Sequence, residues 1–160
     1  MRISLVCDGI YSQVRARSAD KYNMATVGDV MTRDVFTIDM DVTLGAAIEF
    51  CTENGIRHLP VVDENKCLTG MVTDRDLRSS VSPRLGTISE NNADRETLGR
   101  RVHLIMARRV FSTTTEATLA EAAKLMLEHH VGCLPVIDGE SRVIGLITTS
   151  DLLRSIAQNI

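Results

Sequence analysis

Apolar and polar positions follow the same order twice along the chain. Short runs rich in β-branched residues predict strands at Val35–Ile38 and Val110–Thr113. A polar turn follows each run. Thr43 and Thr118 then stand where N-caps are expected, ahead of helices at 44–54 and 119–130. In the second helix Leu119, Ala122, Ala123, Met126 and Leu127 recur at helical spacing. Next come the apolar strands Leu59–Val62 and Leu134–Ile137, the turns at Asp63 and Asp138, and return strands at 68–72 and 143–147. Each strand pair predicts a hairpin. A second helix opens at Thr73 and again at Thr148.

The repetition holds residue by residue. With an offset of 75, residues 27–80 fall on 102–155 without a gap, and 18 of the 54 positions are identical. Convergence does not keep register that long, so the chain carries an internal duplication. The predicted organisation is an N-terminal extension (1–26), a first repeat (27–80), a linker (81–101), a second repeat (102–156) and a short tail (157–160). The fold class is α/β (α+β), two β-α-β-β-α units packed as a pseudo-two-fold pair. Roughly 55 residues bury both faces of a three-stranded sheet poorly, so the units are expected to stack. A linker of about 20 residues is long for a compact domain, and it is expected to be partly helical over 93–101 or to cover a site.

Composition narrows the partners. Hydrophobic residues make up 44% of the 160, enough for a core, whereas disorder needs low hydrophobicity and high net charge. A net charge of −3 argues against a general nucleic-acid binder, and two Tyr, three Phe and no Trp supply no base-stacking platform for one. Apolar runs stay short of the roughly 20 residues a bilayer demands, and the opening segment is broken by Asp8 and Gly9 too early for a signal peptide. The expectation is a cytoplasmic protein with no membrane partner. Cys7, Cys51, Cys67 and Cys133 show no zinc spacing and read as small apolar residues. Arg15, Arg17 and Lys21 make the N-terminal extension mildly basic, as a solvated face. No nucleophile stands in an elbow motif or beside a base, so no enzyme activity is expected.

The strongest chemical signal lies where strand turns into helix. Thr73 and Thr148 are natural N-caps, with Asp76 and Asp151 at the third helical position. Such a Thr-x-x-Asp motif serves the helix end and its dipole. The same geometry offers unpaired N–H groups to phosphate oxygens and an acceptor-only carboxylate to two vicinal hydroxyls. Gly70 and Gly145 read as a close backbone approach or a strand bulge.

These residues resemble a tandem cystathionine-β-synthase (CBS) domain pair, or Bateman module, of the stand-alone kind. The resemblance is carried by Val30-Met31-Thr32, by Gly55-Ile56-Arg57-His58-Leu59-Pro60-Val61-Val62 and by Gly70 to Leu77. Their partners are Ile105-Met106, Val131 to Ile137 and Gly145 to Leu152. It implies an adenine nucleotide of the AMP, ADP or ATP type, with Mg admitted beside it, held in clefts between the repeats. It assigns Asp76 and Asp151 to the ribose. Phosphate falls to Thr73, Arg75 and Thr148, and to His129 and His130, which a helix C-terminus also favours through its dipole. The adenine slot falls to Asp34, Val35, Arg57 and His58, and to Arg109, Val110 and Cys133 beside Gly132. Arg57-His58 also fits a plain surface pair. Both carboxylates are expected to matter for ligand and not for folding. The implied role is a regulatory sensor, a homodimer that passes occupancy to a regulated protein. A ligand-independent dimerisation module and an S-adenosylmethionine sensor are the alternatives. The repeats diverge at the phosphate-facing positions, so unequal clefts are expected.

Overall fold

The computed structural model describes residues 25–158. The expectations for Cys7, Arg15, Arg17 and Lys21 lie outside the described residues.

A short helix α1 (Val27–Val30) is capped by Thr26, whose backbone N–H donates to Asp29 at 2.9 Å. Strand β1 (Ile38–Asp39) precedes helix α2 (Leu44–Asn54), the hairpin β2 (His58–Val62) and β3 (Leu68–Thr73), and helix α3 (Asp74–Ser79). Helix α4 (Asn92–Glu96) and two 3₁₀ turns (Thr97–Gly99, Val102–Leu104) fill the connection. The second repeat supplies α5 (Leu119–His129), the hairpin β4 (Cys133–Ile137) and β5 (Val143–Thr148), and α6 (Thr149–Gln158). The helices start where their side chains can cap them: Thr43 accepts from the Ala46 N–H and Thr118 from that of Glu121. Gly55 ends α2 in the left-handed region, as expected of a helix C-cap.

The first strands are shorter than expected. Only Ile38 and Asp39 pair, in parallel with Val61 and Val62. In the second repeat the counterpart shrinks to one parallel bridge, Thr113 to Val136. Val35 and Val110 have no strand partner because the chain there runs along the cleft walls described below. The linker is partly helical, as expected, but lines neither cleft. Leu98 packs over Gly45 of α2, where an added Cβ would stand 3.3 Å away.

The segments that open the repeats are exchanged. The core built on Leu44, Leu59, Val61, Val72 and Leu77 is completed by Val102 and Met106, which belong by sequence to the second repeat. The core of Leu119, Leu134, Val136 and Ile147 is completed by Val27 and Met31 of the first. Backbone bonds fix both exchanges. Val27 N–H donates to Ala117 O (2.8 Å) and Leu119 N–H to Ala25 O (3.1 Å), while Val102 N–H donates to Val42 O (2.9 Å) and Leu44 N–H to Arg100 O (2.8 Å). The hairpin tips also cross: Leu68 N–H donates to Ser141 O and Val143 N–H to Lys66 O. Lys66 and Ser141 both adopt positive φ in turns tied by Asp63 and Asp138.

Gly70 and Gly145 serve this exchange. A Cβ on Gly70 would lie 2.6 Å from the Met106 sulfur and 3.2 Å from the Ala107 carbonyl oxygen. On Gly145 it would lie 2.5 Å from the Met31 sulfur and 3.2 Å from the Thr32 carbonyl oxygen. The sulfurs can swing, but the carbonyls cannot leave their ladders. Gly70→Ala and Gly145→Ala are therefore expected to lower stability by about 1–3 kcal/mol each, read by urea denaturation.

Candidate ligand-binding site

Two reciprocal bridges bring the repeats together at the sites. Met71 and Ala107 exchange backbone bonds of 3.0 and 2.9 Å, laying residues 107–111 beside β3. Thr32 and Leu146 do the same at 2.9 Å each, laying residues 32–36 beside β5. Within each hairpin, His58 pairs with Thr73 and Cys133 with Thr148, so the residue before Leu-Pro faces the cap threonine. Each cleft therefore combines a cap from one repeat with an incoming segment from the other.

The first cleft measures about 720 Å³ and the second about 200 Å³. Small-molecule sites commonly run from roughly 300 to 1,000 Å³, so the first lies within that range and the second below it. Thr73, Arg75, Asp76, Arg57 and His58 of the first repeat line it, opposite Arg109, Val110, His130 and Cys133 of the second. The second cleft gathers Asp34, Val35, Arg57, His58 and Thr148. Arg57 and His58 thus border both cavities. His129 and Asp151 line neither.

The two aspartates are placed alike and used differently. One Asp76 oxygen accepts from the Thr73 N–H (3.0 Å) and hydroxyl (2.6 Å), while the Asp76 N–H donates back to that hydroxyl (3.2 Å). The other oxygen has no hydrogen bond among the described residues, and the side chain is exposed at the cleft. Asp151 makes the same capping box with Thr148, at 2.9 and 2.7 Å. Its second oxygen, however, accepts from Arg154 at 2.8 Å, and the residue is only 8% exposed. Position 79, the counterpart of Arg154, is a serine, so Asp76 has no such partner.

Three guanidinium groups surround the large cleft without a carboxylate partner among the described residues. They belong to Arg57, Arg75 and Arg109. Asp74 is already tied to Arg78 at 2.8 Å. Burial and the nearby Arg57 charge hold the His58 imidazole below the usual histidine pKa, against a smaller opposing pull from Asp76. Burial, aided by Asp151, pushes the Cys133 thiol up to about 12, which leaves it a neutral, apolar wall. His130 ends α5 in the left-handed conformation (φ 54°) at the place of Gly55, so the helix stops one residue earlier than the pattern implied. A histidine there carries strain that a glycine would not, at the edge of the cavity.

Sequence reasoning overlooked Phe111. Its ring borders the large cleft, with the imidazole of His129 stacked on it at 3.6 Å and 7°. One of only three Phe in the chain, directly after Arg109-Val110, was the available signal.

The chain belongs to the CBS domain family, whose model matches residues 27–83 and 101–158. A CBS domain-containing protein of Dictyostelium discoideum is 43% identical over 130 residues, 79% of this chain and 88% of that protein. Homoserine O-acetyltransferase of Methanococcoides burtonii is 35% identical over 131 residues, 82% of this chain but 24% of the enzyme. Among solved structures, CBSX2 in complex with AMP superimposes with a TM-score of 0.71 at 29% identity, over 84% of this chain and 98% of that one. The cytosolic domain of the Mg²⁺ channel MgtE in complex with ATP gives 0.66 at 26%, over 91% and 54%. The fold is the mixed α/β CBS pair. No helix among the described residues is long and apolar enough to cross a membrane.

The aspartates give a direct test. Asp151→Asn, which strips charge from a buried carboxylate serving Thr148 and Arg154, is expected to cost about 1–2 kcal/mol of stability. Asp76→Asn is expected to cost less than half of that in the same thermal melts.

Proposed function

We propose that this CBS pair is a regulatory sensor of adenine nucleotides of the AMP, ADP or ATP type, and that one chain takes its ligand in the larger cleft. The observation that carries this reading is the meeting, in one cavity of about 720 Å³, of the Thr73–Asp76 cap and three arginines, from both repeats, that have no carboxylate partner among the described residues. The free Asp76 oxygen supplies a ribose acceptor, and the helix start with Thr73 and Arg75 supplies phosphate donors. Val110 and Cys133 supply an apolar wall for the base. AMP on CBSX2 and ATP on the MgtE domain support the ligand class. Mg accompanies the more highly phosphorylated ligands. Three cationic side chains disfavour the sulfonium of S-adenosylmethionine, so that alternative is the weaker one. Both repeats contribute walls, so a ligand stabilises one arrangement of the pair, and a regulated protein that prefers that arrangement senses occupancy reciprocally.

Calorimetry with ATP or AMP is expected to give about one tight site per chain, with S-adenosylmethionine weaker. Two equal sites, or none, would overturn the reading. A phosphate favours the imidazolium of His58, whose folded pKa starts below 6.5. Binding therefore takes up protons, and affinity is expected to rise as pH falls from about 7 toward 5.5, a slope that His58→Gln flattens.

We also propose that the chain forms a homodimer through helices of the second repeat. Leu127 of α5 is 75% exposed and Leu153 of α6 62%, whereas their counterparts in the first repeat are the polar Thr52 and Arg78, hydrogen-bonded at 3.1 Å. Light scattering is expected to give twice 17.6 kDa, and Leu127→Glu with Leu153→Glu to give the monomer.

A further inference from the structure

We infer that Phe111 is the platform on which the base stacks, that His129 backs this platform, and that Arg109 is a latch the base displaces. The inference rests on the nucleotide reading above.

The ring of Phe111 borders the large cleft, and His129 lies flat on one of its faces at 3.6 Å. A ring that close leaves no room for another group on that face. The guanidinium carbon of Arg109 stands 5.4 Å from the Phe111 centroid, so it and any ligand compete for the other face. Arg109 has no hydrogen bond or ion pair among the described residues, and its attraction to the ring is weak at an exposed site. A phosphate offers the guanidinium charge-assisted bonds that are stronger. A nucleotide therefore makes two exchanges at once: its base takes the ring face that Arg109 leaves, and its phosphate takes the guanidinium. Because His129 already fixes the ring from behind, stacking demands little further ordering of the wall. The first repeat lacks this device. Phe36, at the equivalent position, meets Phe50 edge-on (5.3 Å, 86°) and borders the smaller cavity.

This assignment gives His129 a positioning role and leaves phosphate to the groups that line the cleft.

Three probes separate the parts: adenosine (base without phosphate), AMP (both), and inorganic triphosphate (phosphate without base). In the full chain, Phe111→Leu is expected to weaken adenosine and AMP roughly tenfold and to leave inorganic triphosphate unchanged. His129→Ala, an exposed position, is expected to weaken adenosine and AMP several-fold, again sparing triphosphate. Arg109→Ala is expected to weaken AMP and triphosphate while adenosine binds as tightly as before or more tightly, since its competitor is gone. Loss of adenosine affinity in Arg109→Ala, loss of triphosphate affinity in His129→Ala, or unchanged adenosine and AMP affinity in Phe111→Leu would overturn the proposal. A wild-type chain that binds neither adenosine nor AMP would instead overturn the nucleotide reading itself, and the platform with it. Phe111 also packs against the second core, so Phe111→Trp provides a readout independent of folding losses. The chain has no other tryptophan, and AMP is expected to quench that emission while triphosphate does not. Unquenched emission with AMP bound would count against stacking.

Discussion

The architecture depends on one contact made twice: a methionine from each repeat lying over a side-chain-free point in the other repeat's hairpin. Met106 over Gly70 and Met31 over Gly145 carry residues 102–107 and 27–32 across the molecular pseudo-two-fold. Each methionine is less than a tenth exposed, so the crossing is core and not surface contact. The backbone bridges Met71–Ala107 and Thr32–Leu146 follow from it, and these aim residues 109–111 and 34–36 at the cap threonines. Without that crossing there would be hairpins and helices but no cleft walls from two sources.

Given this symmetry, the inequality of the clefts comes from a few side chains. Arg154 closes the second aspartate where Ser79 leaves the first open. The flat stack of His129 on Phe111 and the edge-on pair of Phe36 and Phe50 give the two walls different shapes. Arg57 and His58, where the chain enters β2, belong to both linings. A ligand in the larger cavity therefore alters the charge felt in the smaller.

Much of this was legible in the sequence. Helix starts were readable because an N-cap is local: Thr43, Thr73 and Thr118 each accept from the N–H three residues on, and Thr73 and Thr118 complete a capping box there. The hairpins were readable because in each repeat two apolar runs flank a short polar turn. The first strands were overextended because Val35 and Val110 have strand-like side chains, yet their environment is a cleft wall and not a ladder. Of the residues drawn from the motifs, Arg57, His58, Arg109, Val110, His130 and Cys133 share the larger cavity with Thr73, Arg75 and Asp76, whereas Asp34, Val35 and Thr148 line the smaller one and His129 and Asp151 neither. The pairing of Asp151 with Arg154 and the stacking of His129 on Phe111 were out of reach, since each depends on side-chain directions set by packing. The exchange itself was hidden for the same reason. A duplicated sequence shows where the units repeat, not which unit completes which core.

The exchanged segments also set an order of events during synthesis. The hairpin and helices of the first repeat leave the ribosome well before residues 102–106, so its core waits for Val102 and Met106 while Val27 and Met31 wait still longer for Leu134 and Ile147. A half-made chain thus presents two unfilled apolar surfaces at once, whose partners lie far along the sequence, Met106 for Gly70 and Gly145 for Met31. Contacts that distant in sequence are slow to form, and such intermediates are prone to pair with other chains. A nascent protein of this design gains from rapid elongation through the linker, and a truncation before Val102 leaves the first repeat without the residues that complete its interior.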